Sequence, residues 1–544
     1  MILSDMTLFS SLLFSSGVDL ALCSAKENLN VANCSAFFLT PAIDLPYNAQ
    51  VLDVSAALAK SQVSNSNITL NLCNVTVTYT HPSWNDKIHI TIYLPETGWN
   101  GRFQGVGGGG WATSSGLSSL LSPVAAGYSA GTTDGGHEIN SLSTAGWAEL
   151  PNGQLNMPLF TDFASVALND LAVVGKQITN RYYGYGPNYS YWNGCSTGGR
   201  QGLMMAQKYP TAFNGIHAGA PAINWPVFLV AEYWGQFLMN QLVRYPPQCV
   251  FDAINNAAVE ACRFMDDRFI AQPGQCLYDP FLMVGKSINC NGTLVNITSD
   301  DATIVQKTWE GPRTADGTPL WWGINPGTPF DGLIDTECTG SVTNCTGNAF
   351  GIATDWISRW ILEEPDYDFQ SLTLDGFVKI FYQALVKYNA IIGTNNIDLR
   401  PFHHAGGKMI TWHGLADPLI FPGGTIDYYR KAMAFDPETH EYYRFFPAPG
   451  VGHCENGNGA VPSDPLAAVV EWVEQDIAPD VLPAVTTDGT INRNLCMYPL
   501  ASFYIGGDPT DVGSFVCKFV GDYIDNIISY ADFVLNSNGS TIFV

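Results

Sequence analysis

Tyr189-Ser190-Tyr191-Trp192-Asn193-Gly194-Cys195-Ser196-Thr197-Gly198 is the stretch on which the reading of this 544-residue chain turns. Its first five residues suit a strand, and Gly194 to Gly198 fit the pattern G-x-S-x-G. There the glycines permit a tight strand-to-helix turn that projects the serine oxygen above a sheet. The context agrees, because Arg200 to Tyr209 reads as a helix directly after the turn. A surface glycine turn gives the same five letters, so the pattern needs partners elsewhere in the chain.

Two partners stand downstream. Asp417 lies in Trp412-His-Gly-Leu-Ala-Asp-Pro418, just beyond a buried strand predicted over Lys408 to Trp412. His453 follows 36 residues later in Pro449-Gly-Val-Gly-His-Cys454. The order Ser, Asp, His is that of α/β-hydrolases. A loop carboxylate can orient the imidazole, which then removes the serine proton. The plain alternatives are a turn aspartate and a solvated loop histidine. Cys195 directly precedes Ser196, and Cys454 directly follows His453. If these cysteines are bonded, their Cα atoms lie within ~7 Å. A serine and a histidine 257 positions apart then share one site.

Composition bounds the compartment. The chain is 46% hydrophobic and 13% charged, ample for a large core. Length alone suggests about three or four domain equivalents, an overcount for large α/β enzymes, so two domains are expected. A net charge of −25, from 24 basic and 49 acidic residues, argues against nucleic acid and anionic membranes as partners. Thirteen scattered cysteines point to disulfides in an oxidising compartment rather than to zinc. Asn33, Asn67, Asn74, Asn188, Asn291, Asn296, Asn344 and Asn538 each begin Asn-x-Ser/Thr, as in a secreted glycoprotein. Residues 1–25 read as a signal peptide, with Leu8 to Phe14 apolar and Cys23-Ser24-Ala25 at the cleavage point, although Asp5 and Asp19 fit it poorly. Cleavage after Cys23 or Ala25 leaves twelve cysteines, an even number. No apolar run reaches the ~20 residues of a membrane span, so the mature chain is expected to be soluble.

The predicted architecture is an α/β-hydrolase fold with a large inserted lid domain. Val75 to Thr80 and Ile88 to Leu94 alternate like half-buried strands around the turn Pro82 to Asp86. Phe160 to Ile178 reads as one helix, and Pro465 to Ile477 as a late one. After Ala220-Pro221 aromatics, prolines and six cysteines accumulate. The lid is therefore placed at 226–400, and the catalytic domain at 26–225 with 401–544. An acyl-enzyme needs oxyanion donors: the amide of Thr197 is the usual one. The second is assigned to Gly109 in the Gly107–Gly110 run, where backbone can approach a ligand. Asp134 with His137 reads as either a second dyad or an internal support for the serine turn.

At this point the chain resembles the tannase and feruloyl esterase family. The carrying residues are Cys195-Ser196 with Gly198-Gly199-Arg200, His413-Gly414 with Asp417, and His453-Cys454. Supporting matches are Gly101-Arg-Phe103 leading to Gly107–Gly110, Asp134-Gly-Gly-His137 and Gly311-Pro-Arg313, over residues 30–520. The resemblance implies a Cys195–Cys454 disulfide, Ser196 as nucleophile, His453 as base then acid, and Asp417 as the orienting carboxylate. It implies a secreted serine esterase acting on phenolic acid esters, feruloyl or galloyl, free or linked to polysaccharide, with a lean to feruloyl. A serine peptidase and a catalytically silent carbohydrate-binding glycoprotein are the alternatives.

No cofactor is required by this chemistry. Family relatives often hold calcium in the lid through a Cys-Asp-x-x-Asp-Gly-x-x-Asp-Gly loop. The corresponding Cys262-Arg-Phe-Met-Asp-Asp-Arg-Phe-Ile270 lacks the first aspartate and both Asp-Gly turns, and Asp266 with Asp267 is thin for calcium. Weak or absent binding is expected, and Asp331 to Asp335 reads as a plain turn. Trp225, Tyr233, Trp234, Trp321 and Trp322 are either core or a stacking surface for a phenolic ring. Expected disulfides are Cys262–Cys276, Cys338–Cys345, Cys34–Cys73 and Cys496–Cys517, with a third bond among the six lid cysteines.

Overall fold

Alternating β-branched and aromatic residues build a nine-stranded sheet in the computed structural model, which describes residues 33–64, 67–265 and 267–519. The signal-peptide reading, Cys23, Asp266 and Asn538 fall outside the described residues. The sheet strands are β1 (Gln50–Val63), β2 (Thr69–Thr80), β3 (Ile88–Pro95), β4 (Arg102–Val106), β5 (Ser129–Thr133), β6 (Tyr189–Cys195), β7 (Gly215–Gly219), β8 (Lys408–Gly414) and β9 (Tyr443–Ala448). They lie in the order β1-β2-β3-β5-β4-β6-β7-β8-β9. β1, β2, β3 and β5 pair antiparallel, and every pairing from β5 across to β9 is parallel.

This order positions the site. Strand β4 sits between β5 and β6, so the chain crosses over at the centre of the sheet. Open α/β sheets bind ligands outside the carboxyl ends of their strands at such a crossover. Gly107 follows β4, Ser196 follows β6, and Asp417 and His453 lie on the loops after β8 and β9. Parallel pairing puts all four at one edge. The parallel strands are buried on both faces, as their runs of apolar and small residues require.

The single helix expected over Phe160 to Ile178 is two helices, α1 (Met157–Ala164) and α2 (Val166–Tyr183), bent by 56° at Ser165. The bend frees backbone carbonyls at the end of α1. Arg200, on helix α3 (Thr197–Lys208) and fully buried, donates to them: Nη1 to the Ala164 carbonyl at 2.8 Å and Nη2 to that of Phe163 at 3.0 Å. Its guanidinium also lies over the Phe163 and Trp225 rings, 5.2 and 5.6 Å from their centroids. Burial pushes this guanidinium down to about 9. A helix C-terminus is the place to hold such a cation, since its carbonyls carry partial negative charge.

Residues 220–407 leave the sheet between β7 and β8, and include helices Trp225–Glu232, Trp234–Leu242, Gln248–Cys262, Ser299–Glu310 and Leu374–Ile392. The insertion is rooted in the sheet domain by rings: Trp111 meets Trp225 at 5.1 Å and Trp147 meets Trp360 at 5.4 Å. Asp355 adds polar anchorage, accepting from Ser143 Oγ at 2.7 Å and the Thr144 amide at 3.0 Å. Trp225, Tyr233, Trp234 and Trp322 are buried core residues rather than a stacking surface. The expected disulfides are present, and the third in the insertion is Cys249–Cys290. Asn67, Asn188, Asn291, Asn296 and Asn344 are exposed, whereas Asn33 and Asn74 are half-buried.

Replacing Arg200 strips two buried carbonyls of their donor and leaves a cavity beside the serine turn. Arg200→Ala is expected to lower stability by about 3 kcal/mol or more, read as a fall in the denaturation midpoint. Wild-type stability in that variant would contradict this account of the α1–α3 junction.

Candidate active site

Ser196 adopts φ 63° and ψ −126°, between the end of β6 and the start of α3. A non-glycine residue holds positive φ only when its surroundings over-determine it. Three glycines supply that constraint. A Cβ on Gly194 would stand 2.5 Å from the Gly198 carbonyl carbon, and one on Gly107 would stand 2.6 Å from Gly198 Cα. One on Gly199 would meet the Gly219 oxygen at 2.3 Å. The turn is thus packed backbone against backbone. The Ser196 amide donates to the Gly219 carbonyl at 3.0 Å, and the Gly198 amide to that of Gly108 at 3.0 Å.

The structure brings Ser196, His453 and Asp417 together. His453 Nε2 is 2.9 Å from Ser196 Oγ, and His453 Nδ1 is 2.8 Å from Asp417 Oδ2. Asp417 is fully buried, and its Oδ1 accepts from the amides of Leu419 at 2.9 Å and Ile420 at 3.0 Å. Burial alone would raise this carboxyl. The charge of His453 and hydrogen bonds from His413 and His453 outweigh it and hold Asp417 well below the usual range. His453 shows the converse: burial lowers it, but the Asp417 charge and hydrogen bond win and raise it above the ordinary imidazole value. Glu232, also buried, is pushed well up by burial and then by the Asp417 charge. Cys195 and Cys454 are bonded, with Cα atoms 5.9 Å apart.

Thr197 opens α3, where an amide has no intrahelical acceptor. Its Oγ1 donates to the Gly110 carbonyl at 2.7 Å, tying the helix start to the glycine loop. Gln201 holds the same loop, with Oε1 accepting from the Gly108 amide at 3.0 Å and Nε2 donating to the Thr113 carbonyl at 3.1 Å. Thr113 Oγ1 lies 2.9 Å from His137 Nε2, while His137 Nδ1 lies 3.0 Å from the Glu138 carbonyl. The second-dyad reading of Asp134 with His137 therefore fails: Asp134 pairs with His89 Nδ1 at 2.6 Å. His137 is internal support, pushed down to about 4 by burial and hence uncharged at neutral pH.

A cleft of about 560 Å³ opens over Ser196 and His453. Gly109 lies on its wall with open space where a side chain would stand. Leu142, Phe350 and Ile352 supply apolar surface there. Two residues of its floor had no motif to announce them. His217 accepts from Trp412 Nε1 at 2.9 Å through Nε2, so its Nδ1 hydrogen points at Asn193 Oδ1, 2.6 Å away. In the degenerate calcium-loop stretch, Arg263 pairs with Glu260 at 3.0 Å and Asp267 lies 3.6 Å from Arg493. In the Asp331 to Asp335 segment, Asp335 Oδ1 accepts from the Gly332 amide at 2.9 Å.

The family model described as tannase and feruloyl esterase matches residues 73–518. The chain belongs to the tannase and feruloyl esterase family. It is 39% identical over 469 residues to a probable feruloyl esterase of Arthroderma benhamiae, spanning 84% of this chain and 87% of that one. A tannase of Aspergillus oryzae is 27% identical over 541 residues, with 86% and 90% covered. Among solved structures, tannin acyl hydrolase from Aspergillus niger superposes with a TM-score of 0.82 at 27% identity, covering 91% of this chain and 97% of that one. Feruloyl esterase B from Aspergillus oryzae gives 0.73 at 25% identity, with 90% and 100% covered. The chain is a carboxylic ester hydrolase with an α/β-hydrolase fold.

Two outcomes follow from the site. The Cys195→Ala/Cys454→Ala double variant is expected to lose up to about 5 kcal/mol of stability in the chain-entropy picture and to lose turnover as well. A double variant with unchanged melting and turnover would show the bond to be dispensable. The second concerns pH. A base must be uncharged, and the raised His453 keeps its proton to a higher pH than an ordinary imidazole. kcat/KM should thus rise with pH through a value above that of free imidazole. In Asp417→Asn the lifting charge is gone while burial remains, so the limb should move to lower pH and the rate fall by about 10⁴. An unshifted limb would separate it from His453.

Proposed function

We propose that the protein is a secreted serine esterase that hydrolyses phenolic acid esters through an acyl-enzyme. The observation that carries this reading is the continuous chain from Ser196 Oγ through the His453 ring to the buried Asp417 carboxylate. His453 takes the Ser196 proton as the oxygen attacks the ester carbonyl, then delivers it to the departing alcohol. In the second half-reaction His453 takes a proton from water, whose oxygen attacks the acyl carbon, and returns it to Ser196. Asp417 stays ionised throughout and stabilises the charged ring. The amides of Thr197 and Gly109 donate to the oxyanion, on a loop braced by Gln201 and Thr113. Nucleophile, base and donors all come from the chain, so the reaction as proposed uses no cofactor.

The apolar side chains of Phe350, Leu142 and Ile352 suit an aromatic acyl group beside Ser196. Identity to a probable feruloyl esterase exceeds that to a tannase, 39% against 27%, and favours feruloyl over galloyl esters. Six disulfides and exposed glycosylation sequons support an extracellular location.

Wild type and Ser196→Ala should be compared on methyl ferulate, methyl gallate and a peptide panel. Wild type is expected to turn over methyl ferulate faster than methyl gallate and to leave peptides intact. Ser196→Ala should lose at least about a thousandfold in kcat. Equal turnover by both proteins would sink the mechanism, and a preference for gallate would reverse the substrate assignment.

A further inference from the structure

Away from the cleft, the turn between β2 and β3 meets helices α1 and α2 in a knot of buried ionisable groups. His81 and Asp86 come from the turn, Asp162 from α1 and Asp170 from α2, and all four are buried. His81 Nδ1 lies 2.6 Å from Asp86 Oδ2 and 3.8 Å from Asp162 Oδ1. On its other edge, Nε2 stands 3.2 Å from Asp170 Oδ2, which also accepts from Tyr79 Oη at 2.9 Å. Asp86 is partly satisfied, taking the His81 amide and Thr80 Oγ1, each at 2.7 Å. Asp162 is not. It is 0% exposed, and neither carboxylate oxygen has a hydrogen-bond donor.

A buried carboxyl with no hydrogen-bond donor is costly, and the nearest imidazole nitrogen, 3.8 Å away, is already engaged by Asp86. The cations of neighbouring α3 do not answer it, because Lys208 donates to Ser165 Oγ at 2.8 Å and Arg200 to the carbonyls that end α1. One imidazole thus faces three carboxyl groups, one on its Nε2 edge and two on its Nδ1 edge. One ligand atom each from His81, Asp86 and Asp162 lies within 4.8 Å of the others. A tetrahedral ion bound at roughly 2.0–2.2 Å needs neighbouring ligand atoms roughly 3.5 Å apart, so the three side chains would shift by about 1 Å to enclose it. The Asp170 carboxylate behind the far edge of the ring matches the outer partner of a metal-binding histidine.

We propose that His81, Asp86 and Asp162 form a binding site for a divalent first-row cation, Zn²⁺ or Mn²⁺, with Asp170 and Tyr79 behind the histidine. An imidazole among few carboxylates suits these ions, whereas calcium takes six to eight oxygens. The ion's role is structural. It ties the β2–β3 turn to α1, whose last carbonyls hold Arg200 on the helix that follows Ser196. It takes no part in ester chemistry and stands independently of the substrate assignment.

The full-length protein, stripped with chelator, would be dialysed against ZnCl₂, MnCl₂ or CaCl₂, then assayed for metal by mass spectrometry and for Tm. Wild type is expected to retain Zn²⁺ or Mn²⁺ at one ion per chain, with a raised Tm. Asp162→Asn should retain at least about tenfold less and show no shift in Tm. If that variant fails to fold, Asp86→Asn takes its place. Wild type that retains neither ion would overturn the proposal and leave protons alone to neutralise the knot. Equal retention by the variant, or a preference for calcium, would overturn the assignment of ligands or of ion.

Discussion

The direct packing of the Gly107-Gly108 backbone on that of Gly198 is the constraint from which the site follows. It lets the loop after β4 and the turn after β6 share hydrogen bonds rather than merely face each other. A side chain at Gly107, Gly194 or Gly199 would push a backbone atom away, and no rotamer change could relieve it. The positive φ of Ser196 is stable because it is clamped between Gly219 on one side and this loop on the other. Gln201 extends the clamp from the next turn of α3. The strain at the serine is therefore sustained by packing, and needs no ligand to hold it.

Electrostatics complete what packing begins. Asp417 is the anion of the site, and each of its oxygens is engaged: two amides on one, two imidazoles on the other. That saturation explains how a fully buried carboxyl stays ionised against the pull of desolvation. Its charge then acts mainly on His453, since Glu232 is driven toward its neutral form. Elsewhere the fold accepts a buried cation, Arg200, by giving it backbone carbonyls rather than a carboxylate. Among the described residues no carboxylate pairs with Arg200.

How far the sequence spoke depended on how local each signal was. The strands around the 82–86 turn, the serine turn and its helix were legible because period-two alternation and glycine spacing act within a few residues. Ser196, Asp417 and His453 were legible through chain order and the flanking cysteines, which report distance across 257 positions. The break at Ser165 was not, because nothing in Phe160 to Ile178 interrupts the helical period. The carbonyls at the break are taken by Arg200, 35 positions beyond Ser165 in sequence, a contact that appears only in three dimensions. The same limit hid His217, whose two partners come from β6 and β8. Of the two readings of Asp134 with His137, internal support holds for His137 and the dyad fails, because the side-chain partner of Asp134 is His89 on the adjacent strand β3.

The cysteine bond is best understood through distance rather than stability. In the chain-entropy picture, a loop of 259 residues corresponds to about 5 kcal/mol, and other disulfides inside the loop reduce that figure. The site also needs a 2.9 Å contact between residues on two different loops, one reached directly from β6 and the other after a long insertion. Misplacement by about 1 Å can cost a hundredfold in rate. A covalent link one residue from each member fixes that separation whatever the insertion between them does. The insertion is thereby free to vary while the serine–histidine contact is held by the bond beside it.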